Sequence, residues 1–253
     1  MNLTSKRCLA VVATGLMAID LMAAPLPPVN VAGQLVYQGV GDTTRNMNTL
    51  GTVTHTVLAA SGTTYTATMS ASLPSGNPTI EVTGNGLFFG QVQLYYSFRV
   101  NGPDFAAIPI TVSGEVSAFS SSPLSIADAQ INPGPYQTSG PMLRACSRPT
   151  PGPGCAAGPQ AQVGSFQYAV AANTVQFITM TVGFYTGSPL VSTMRAFADP
   201  VVNITPGFAS AGSYSLEFSP AVSNVPEPAT FAFMALGLVV VALRVRSRSR
   251  VAA

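Results

Sequence analysis

The stretch that decides the fold runs from Thr79 to Val100 and reads TIEVTGNGLFFGQVQLYYSFRV. Polar and apolar side chains alternate in its first residues and again after Leu87, which is the period of a β-strand with one buried face. Gly84-Asn85-Gly86 lies between these parts, and Asn-Gly favours the positive φ angles of a type I′ turn. The stretch therefore predicts a hairpin. The residues expected on one face of its second strand are Phe88, Val92, Leu94, Tyr96, Phe98 and Val100.

Strand patterns also occur on both sides of this stretch. Thr52–Leu58 and Thr63–Leu73 are rich in threonine and valine, and Ser61-Gly62 between them predicts a second hairpin. Further strands are predicted at Ile108–Phe119, Val163–Ala171, Thr174–Phe184, Leu190–Ala198, Val201–Ile204 and Ser213–Phe218. Asp199-Pro200 is interpreted as a strand-ending turn. We therefore predict a mainly β protein, with one antiparallel β-sandwich or jelly-roll-like domain at residues 25–224.

A stretch rich in proline and glycine interrupts this pattern at residues 123–164. Proline has no amide hydrogen to donate, so we interpret the stretch as a long excursion without strands. Cys146 and Cys155 lie within it, nine positions apart, whereas Cys8 lies near the N-terminus. In an oxidising compartment this pair predicts a disulfide, with free thiols as the alternative. No histidine or second cysteine pair lies nearby, so a metal site is not predicted.

Charge is scarce between the two ends of the chain. Residues 25–224 contain five arginines, no lysine and seven carboxylate side chains, a net charge of −2. A nucleic-acid-binding domain needs a basic patch, so no nucleic-acid partner is predicted. Solubility must then depend on threonine, serine, asparagine and glutamine, which is typical of exported β-rich proteins.

The N-terminus has the parts of an export signal. Lys6 and Arg7 precede a mostly apolar stretch from Cys8 to Met22, which Asp20 interrupts. Small residues and then prolines follow, as expected near a cleavage site. We predict a helical signal peptide at residues 1–24. An ordinary N-terminal helix is the alternative.

The C-terminus carries a second apolar segment. Pro226-Glu227-Pro228 precedes it, and the fifteen residues from Ala229 to Leu243 contain no charge. A helix of that length rises about 22 Å, less than a bilayer core of about 30 Å, but it has no polar face. Arginines that flank a membrane helix stay in the cytoplasm. We therefore predict a transmembrane helix at residues 229–243 and a cytoplasmic tail at 244–250; a core helix with a basic tail is the alternative. The tail arginines are Arg244, Arg246, Arg248 and Arg250.

This three-part arrangement resembles the PEP-CTERM sorting signal of Gram-negative bacteria, and residues 225–250 carry the resemblance. The resemblance implies that Pro226, Glu227 and Pro228 are recognised by exosortase, a membrane-embedded cysteine protease that processes such proteins. It also implies a stage in the inner membrane, followed by release to the envelope or the exopolysaccharide matrix. A looser likeness to the closing segment that precedes this signal covers Ala198–Ser219.

Few residues suggest catalysis. His55 is the sole histidine, and it lies in a threonine-rich predicted strand. No Gly-x-Ser-x-Gly motif accompanies it, so we expect His55 to be a strand residue without a catalytic role. A glycosidase needs two facing carboxylates, and nothing in the spacing selects a pair. Glu81 and Glu217 are expected to face solvent. The candidate carboxylates that stay open are Asp104, Glu115, Asp128 and Asp199.

The resulting hypothesis is a non-enzymatic exported protein of the envelope or extracellular matrix, without cofactor or metal. It is expected to be anchored by its C-terminal signal and processed by an exosortase-like enzyme, in contact with extracellular polysaccharide. The alternatives are a carbohydrate-binding module with exposed aromatic side chains, a secreted hydrolase, and a protein that keeps its C-terminal anchor permanently.

Overall fold

The computed structural model describes residues 24–41, 43–121, 125–134, 141–148, 160–186 and 193–222. The predicted signal peptide, except Ala24, and the predicted transmembrane helix and tail lie outside these residues. Within the described ranges, no helix has the length and apolar character needed to cross a bilayer.

Two antiparallel sheets form the domain, and their inner faces share one core. The strands in chain order are β1 Asn30–Tyr37, β2 Thr43–Met47, β3 Gly51–Leu58, β4 Thr64–Ser72, β5 Thr79–Asn85, β6 Phe88–Asn101, β7 Ala107–Ser120, β8 Ser125–Pro133, β9 Leu143–Ser147, β10 Gln160–Ala171, β11 Val175–Thr186, β12 Thr193–Ile204 and β13 Ser215–Phe218. Short 3₁₀ turns occupy Pro74–Gly76 and Ala211–Ser213.

The larger sheet has seven strands in the order β2-β1-β6-β11-β8-β9, and β13 pairs with β6 beside this path. The smaller sheet has six strands in the order β10-β7-β12-β5-β4-β3. The predicted mainly β, antiparallel two-sheet architecture is confirmed. A jelly roll has eight strands in total, so sandwich is the better description of these larger sheets.

Strand β6 is the centre of the larger sheet and shows the predicted alternation. The side chains of Phe88, Val92, Leu94, Phe98 and Val100 are completely buried, and Tyr96 is 1% exposed. Burying apolar side chains of this size stabilises a fold by about 1.5–3 kcal/mol each. The core therefore forms where the sequence pattern placed it.

The predicted hairpin at Gly84-Asn85-Gly86 is wrong. β5 pairs with β4 and β12 in the smaller sheet, whereas β6 pairs with β1 and β11 in the larger one. Gly86 has φ 75°, but Asn85 does not have the positive φ that a type I′ turn also requires. The Asn85 side-chain oxygen instead accepts a 2.6 Å hydrogen bond from the Thr66 amide of β4. The chain therefore passes from one sheet to the other at this turn.

The predicted hairpin at Ser61-Gly62 is confirmed. β3 pairs with β4 from Gly51 opposite Ala71 to Leu58 opposite Thr64. Gly62 has φ 80°, and its amide donates to the Ala59 carbonyl across the turn at 2.9 Å. Here a residue free to adopt positive φ sits between strands that do pair with each other.

The interpretation of residues 123–164 as an excursion without strands is wrong for its described parts. β8 pairs with β11 and β9, and β10 begins at Gln160. In β8 the side chains of Ala127, Ala129 and Ile131 are buried, which is the alternation of a half-buried strand. Pro133 ends β8, and Pro141 lies before β9, so the prolines border the ladder instead of interrupting it. Residues 135–140 and 149–159 lie outside the described ranges.

Asp199-Pro200 does not end a strand, and the two strands predicted around it are one. β12 runs through both residues, with Asp199 opposite Glu115 and Pro200 opposite Gly114 in β7. The ladder between β12 and β5 extends only to Ala198, so Pro200 lies beyond it. A Cβ atom on Gly114 would lie 3.0 Å from the Pro200 Cα atom, so the close approach requires glycine.

The sequence analysis also missed β1 and β2, which form one edge of the larger sheet. β1 alternates between the buried Val31 and Leu35 and the exposed Ala32 and Gln34. Its partners are β2 on one side and β6 on the other. This edge contributes two of the six residues of the polar surface described below, Gln34 and Asn46.

Candidate functional sites

Most of the predicted sorting residues lie outside the described part of the chain. These are Pro226, Glu227 and Pro228, and the four tail arginines Arg244, Arg246, Arg248 and Arg250. Their roles stay predictions. The described domain ends at Val222, four residues before the Pro-Glu-Pro tripeptide.

Cys146 lies in β9 and is disulfide-bonded, with 6% of its surface exposed. Cys155 lies outside the described residues, so its pairing with Cys146 stays a prediction. The Cys146 backbone is opposite Asp128 of β8, at the end of the larger sheet.

The two ends of the described domain meet at Arg99 of β6. The Arg99 guanidinium donates two hydrogen bonds to Glu217 Oε2, of 3.2 Å from Nε and 2.7 Å from Nη2. Nη1 donates to the Ala24 carbonyl at 3.1 Å, and Asn101 donates to the same Glu217 oxygen at 2.9 Å. We call Arg99, Asn101, Glu217 and the Ala24 carbonyl the terminal clamp.

Burial differs between the two charges of the clamp. The Arg99 side chain is 6% exposed and that of Glu217 is 41% exposed. The hydrogen bond from Asn101 and those from Arg99 hold the pKa of the Glu217 carboxyl below its ordinary value. Glu217 does reach solvent as predicted, but it also neutralises a buried cation.

A second contact holds the chain ends two residues away. The Ser97 hydroxyl donates to the Pro27 carbonyl at 3.1 Å, and the Ser97 amide donates to the Ser219 hydroxyl at 2.7 Å. The Ser219 amide donates in turn to the Ser97 carbonyl at 2.8 Å. The residues that adjoin the predicted signal peptide and the sorting tripeptide are therefore fixed to the same strand.

The candidate carboxylates do not come together. Asp104 lies in the loop after β6 and accepts a 2.9 Å hydrogen bond from the Tyr214 hydroxyl. Asp128 forms an ion pair of 2.6 Å with Arg144 on the larger sheet. Glu115 and Asp199 are opposite each other on the smaller sheet.

The Glu115–Asp199 pair lies side by side on neighbouring strands, not across a cleft. Burial and, to a lesser extent, the charge of Glu115 raise the pKa of the Asp199 carboxyl. Two like charges directly opposite in a sheet destabilise it. A glycosidase instead holds its substrate between two carboxyls that face each other from opposite sides of the bond.

His55 is a buried strand residue at the edge where the two sheets meet. Its Nε2 atom is 2.9 Å from the Thr43 hydroxyl, and its ring packs edge-on against Phe88 at a centroid distance of 5.2 Å. Burial is the main cause that lowers the pKa of the imidazole, and the charge of Arg45 adds to it. The ring joins β2 to β3 and has structural contacts on both sides.

The outer face of the larger sheet carries a set of polar side chains that the sequence analysis did not single out. We call this set the amide face. Its members are Gln34 on β1, Asn46 on β2, Gln91 and Gln93 on β6, Gln130 on β8 and Thr181 on β11.

Sheet register places these residues next to each other. Gln34 is opposite both Asn46 and Gln91, and Gln93 is opposite Thr181, which is opposite Gln130. A groove of about 390 Å³ lies over this surface. It is lined by Ala32, Gly33, Gln34, Asn46, Gln91 and Gln93.

Aromatic side chains border the amide face along β6. Phe89 is opposite Tyr185 of β11, and the Tyr185 side chain is 47% exposed. Tyr95 lies six residues further along β6, at a distance of about 20 Å for an extended strand. The predicted core residues of β6 are on the opposite face, so the strand divides its aromatic residues between core and surface.

Comparison with protein-family models identifies the C-terminal segment. Residues 224–248 match the PEP-CTERM protein-sorting motif. The chain therefore carries a PEP-CTERM sorting signal, and this signal supports an exported protein that is sorted by an exosortase. Neither the curated proteins nor the solved structures contain a match to this chain.

Proposed function

We propose that this protein is a non-enzymatic component of the cell envelope or extracellular matrix, held in the inner membrane by its C-terminal helix and then processed near Pro226-Glu227-Pro228. The observation that carries the proposal is the sorting motif at residues 224–248, directly after a folded domain whose last described residue is Val222. In this scheme Phe231–Leu243 is the anchor, and the four tail arginines keep the C-terminus cytoplasmic.

The geometry around the end of the domain supports processing without loss of the fold. Ser219 is 1% exposed and hydrogen-bonded to Ser97, whereas Pro220 and Ala221 are exposed. A cut near residues 226–228 falls beyond the last contact of β13 with β6. The sandwich keeps its terminal clamp after such a cut.

The positions of the carboxylates support a role without catalysis. Asp128 is in an ion pair, Asp104 accepts from Tyr214, and Glu115 and the half-buried Asp199 lie side by side on neighbouring strands. Among the described residues, no group of three or more histidine, cysteine, aspartate or glutamate side chains is placed to hold a metal ion. These arrangements favour a scaffold or binding role over a hydrolase.

The sorting step is tested by replacing Pro226, Glu227 and Pro228 with alanine in the producing bacterium. The expected result is a full-length protein that stays in the inner-membrane fraction, whereas the parent is found in the outer envelope or the medium. Pro220→Ala is the matched control, because Pro220 is exposed and lies just before the signal. An alanine variant with the same size and location as the parent contradicts the proposal.

Intact mass spectrometry of the mature protein separates a processed protein from a permanently anchored one. Processing predicts a C-terminus near residues 226–228 and loss of all four tail arginines. A mature chain that still contains Arg250 shows permanent anchoring and refutes the cleavage step.

A further inference from the structure

We propose that the amide face binds a neutral polysaccharide. The proposal rests on the proposed function only in that export brings the domain into contact with extracellular polysaccharide. The ligand class follows from the donors, acceptors and charges of this surface.

The amide groups of the groove are available to a ligand. Among the described residues, the side chains of Gln34, Asn46, Gln91 and Gln93 form no hydrogen bond with another part of the protein. Gln34, Asn46 and Gln91 are exposed, and Gln93 is half-buried. The donors and acceptors of these four neighbouring amides therefore point to solvent and are free to bind a ligand.

Amide chemistry selects for hydroxyl groups. Each amide offers two N–H donors and a carbonyl acceptor, and a sugar hydroxyl both donates and accepts. A carboxylate or phosphate ligand would instead favour arginine, whose fork donates two parallel hydrogen bonds. The six residues of the amide face include no ionisable side chain.

Two arginines lie next to members of the amide face: the exposed Arg45 adjoins Asn46 on β2, and Arg144 lies on β9. Arg144 is opposite Gln130 in the sheet, and its guanidinium donates to Asp128 at 2.6 Å and 2.9 Å. The Arg144–Asp128 pair therefore adds no net charge at the β8 side of the face. Arg45 is opposite the buried Leu35, so it lies on the other side of β2 from Asn46. A neutral surface of donors and acceptors is complementary to a neutral polyol and not to an acidic or basic chain.

The dimensions suit an extended chain. From β2 to β8 the amide face crosses five strands, a width of about 19 Å at the usual strand spacing. Aromatic side chains border it: the exposed Tyr185 and the half-buried Phe89 lie toward one end of β6, and the half-buried Tyr95 lies toward the other. An aromatic ring with an accessible face can pack against the C–H face of a sugar ring, while the amides bind its hydroxyls.

At Gly183, between Gln91 and Asp128, no side chain projects from β11. Gly183 is opposite Gln91 in the sheet, and a Cβ atom on it would lie 3.2 Å from the Gly90 carbonyl oxygen. Because Gly183 has no side chain, β11 does not cover the space beside Gln91.

Affinity electrophoresis of the purified exported protein tests the proposal. The gels contain hydroxyethyl cellulose, galactomannan, dextran, the neutral polysaccharide from the producing cells, or acidic alginate. The expected result is retardation by at least one neutral polysaccharide and none by alginate. A Gln91→Ala/Gln93→Ala variant should bind that polysaccharide roughly tenfold more weakly, as expected for the loss of two hydrogen bonds.

Gln167→Ala is the matched control. Gln167 is an exposed glutamine on β10, in the other sheet, and its replacement should leave retardation unchanged. Gln91 and Gln93 are not among the core residues, so both variants should fold like the parent. Circular dichroism of all three proteins checks this.

Three outcomes overturn the proposal: no retardation by any neutral polysaccharide, retardation by alginate alone, or equal retardation of parent and double variant. Self-association through this surface, detected as a dimer that Gln91→Ala/Gln93→Ala dissolves, also overturns it. The sorting proposal is independent of these results, because the gels contain no exosortase and report binding only.

Discussion

The terminal clamp makes a quantitative prediction about Glu217. In Glu217→Ala the Arg99 guanidinium loses both of its hydrogen bonds to the carboxylate and keeps the one to Asn101; Ala24 is the last residue of the predicted signal peptide and is not counted as a partner in the exported protein. Its side chain is only 6% exposed, so water cannot fully replace the lost partner. The perturbation therefore leaves a buried cation without its counter-charge.

The burial of the two partners sets the magnitude. Removing one partner of a fully buried ion pair costs about 3–5 kcal/mol, and breaking an exposed pair costs about 0–1 kcal/mol. Glu217 is 41% exposed and Arg99 is 6% exposed, so the clamp lies between these cases. We expect a loss of about 2 kcal/mol in the free energy of unfolding. For a domain of roughly 200 residues this lowers Tm by about 4–8 °C.

Thermal unfolding of the purified exported protein measures this loss. Glu81→Ala is the matched control, because Glu81 also pairs with an arginine across a sheet, at 2.5 Å, but the Arg195 side chain is 59% exposed. The control should lower Tm by less than about 4 °C, and by less than Glu217→Ala.

The sign of the pH dependence adds a second criterion. The pKa of Glu217 is lowered in the folded state from a usual value of 4.5, so its stabilisation is complete above that pH. It is lost as pH falls through the lower folded pKa. The Tm difference between parent and Glu217→Ala should therefore shrink at pH 3. Equal Tm losses for Glu217→Ala and Glu81→Ala at pH 7, or a Glu217 effect that does not change with pH, would refute this reasoning.

Three further predictions concern single groups. Asp199→Asn should raise the free energy of unfolding, measured in urea at pH 7, by up to about 1 kcal/mol, because burial and Glu115 disfavour the charged carboxyl. The pKa of the Asp199 carboxyl is raised in the folded state, so this gain should shrink as pH falls toward 3.8. The pKa of His55 is lowered, so the folded state favours the neutral imidazole and the parent should lose stability as pH falls below 6.5. In His55→Gln the urea midpoint should change less between pH 7 and pH 5 than in the parent. Peptide mapping without reductant should recover Cys146 linked to Cys155, and Cys146→Ser should cost about 2–3 kcal/mol; a map that links Cys146 to no other peptide would contradict the pairing.

Local alternation was sufficient to predict much of the sandwich. Buried apolar residues occur at every second position from Phe88 to Val100, because one face of β6 packs against the opposite sheet. This period can be read directly from the sequence. The same rule would have found β8, since Ser125, Ala127, Ala129 and Ile131 alternate with less buried residues. Pro133 lies at the end of β8 and Pro141 lies before β9, so prolines near a segment do not by themselves exclude a strand.

The partners of each strand could not be predicted from local pattern. Asn85-Gly86 is a good hairpin sequence, yet β4 and β12 pair with β5 and leave no place for β6. The amide face could not be predicted for the same reason. Gln91 and Gln93 were visible as outward positions of β6, but their proximity to Gln34, Thr181 and Gln130 depends on strand order, which a single sequence does not specify.

The terminal clamp also has a consequence for protein engineering. One guanidinium contacts both Ala24 and Glu217, so the beginning and the end of the domain are only a side chain's reach apart. A fold with adjacent ends can be inserted into a surface loop of another protein, or its ends can be joined by a few residues and new ones opened elsewhere. The turn at Ser61-Gly62, exposed at the tip of a regular hairpin, is the natural position for such new ends.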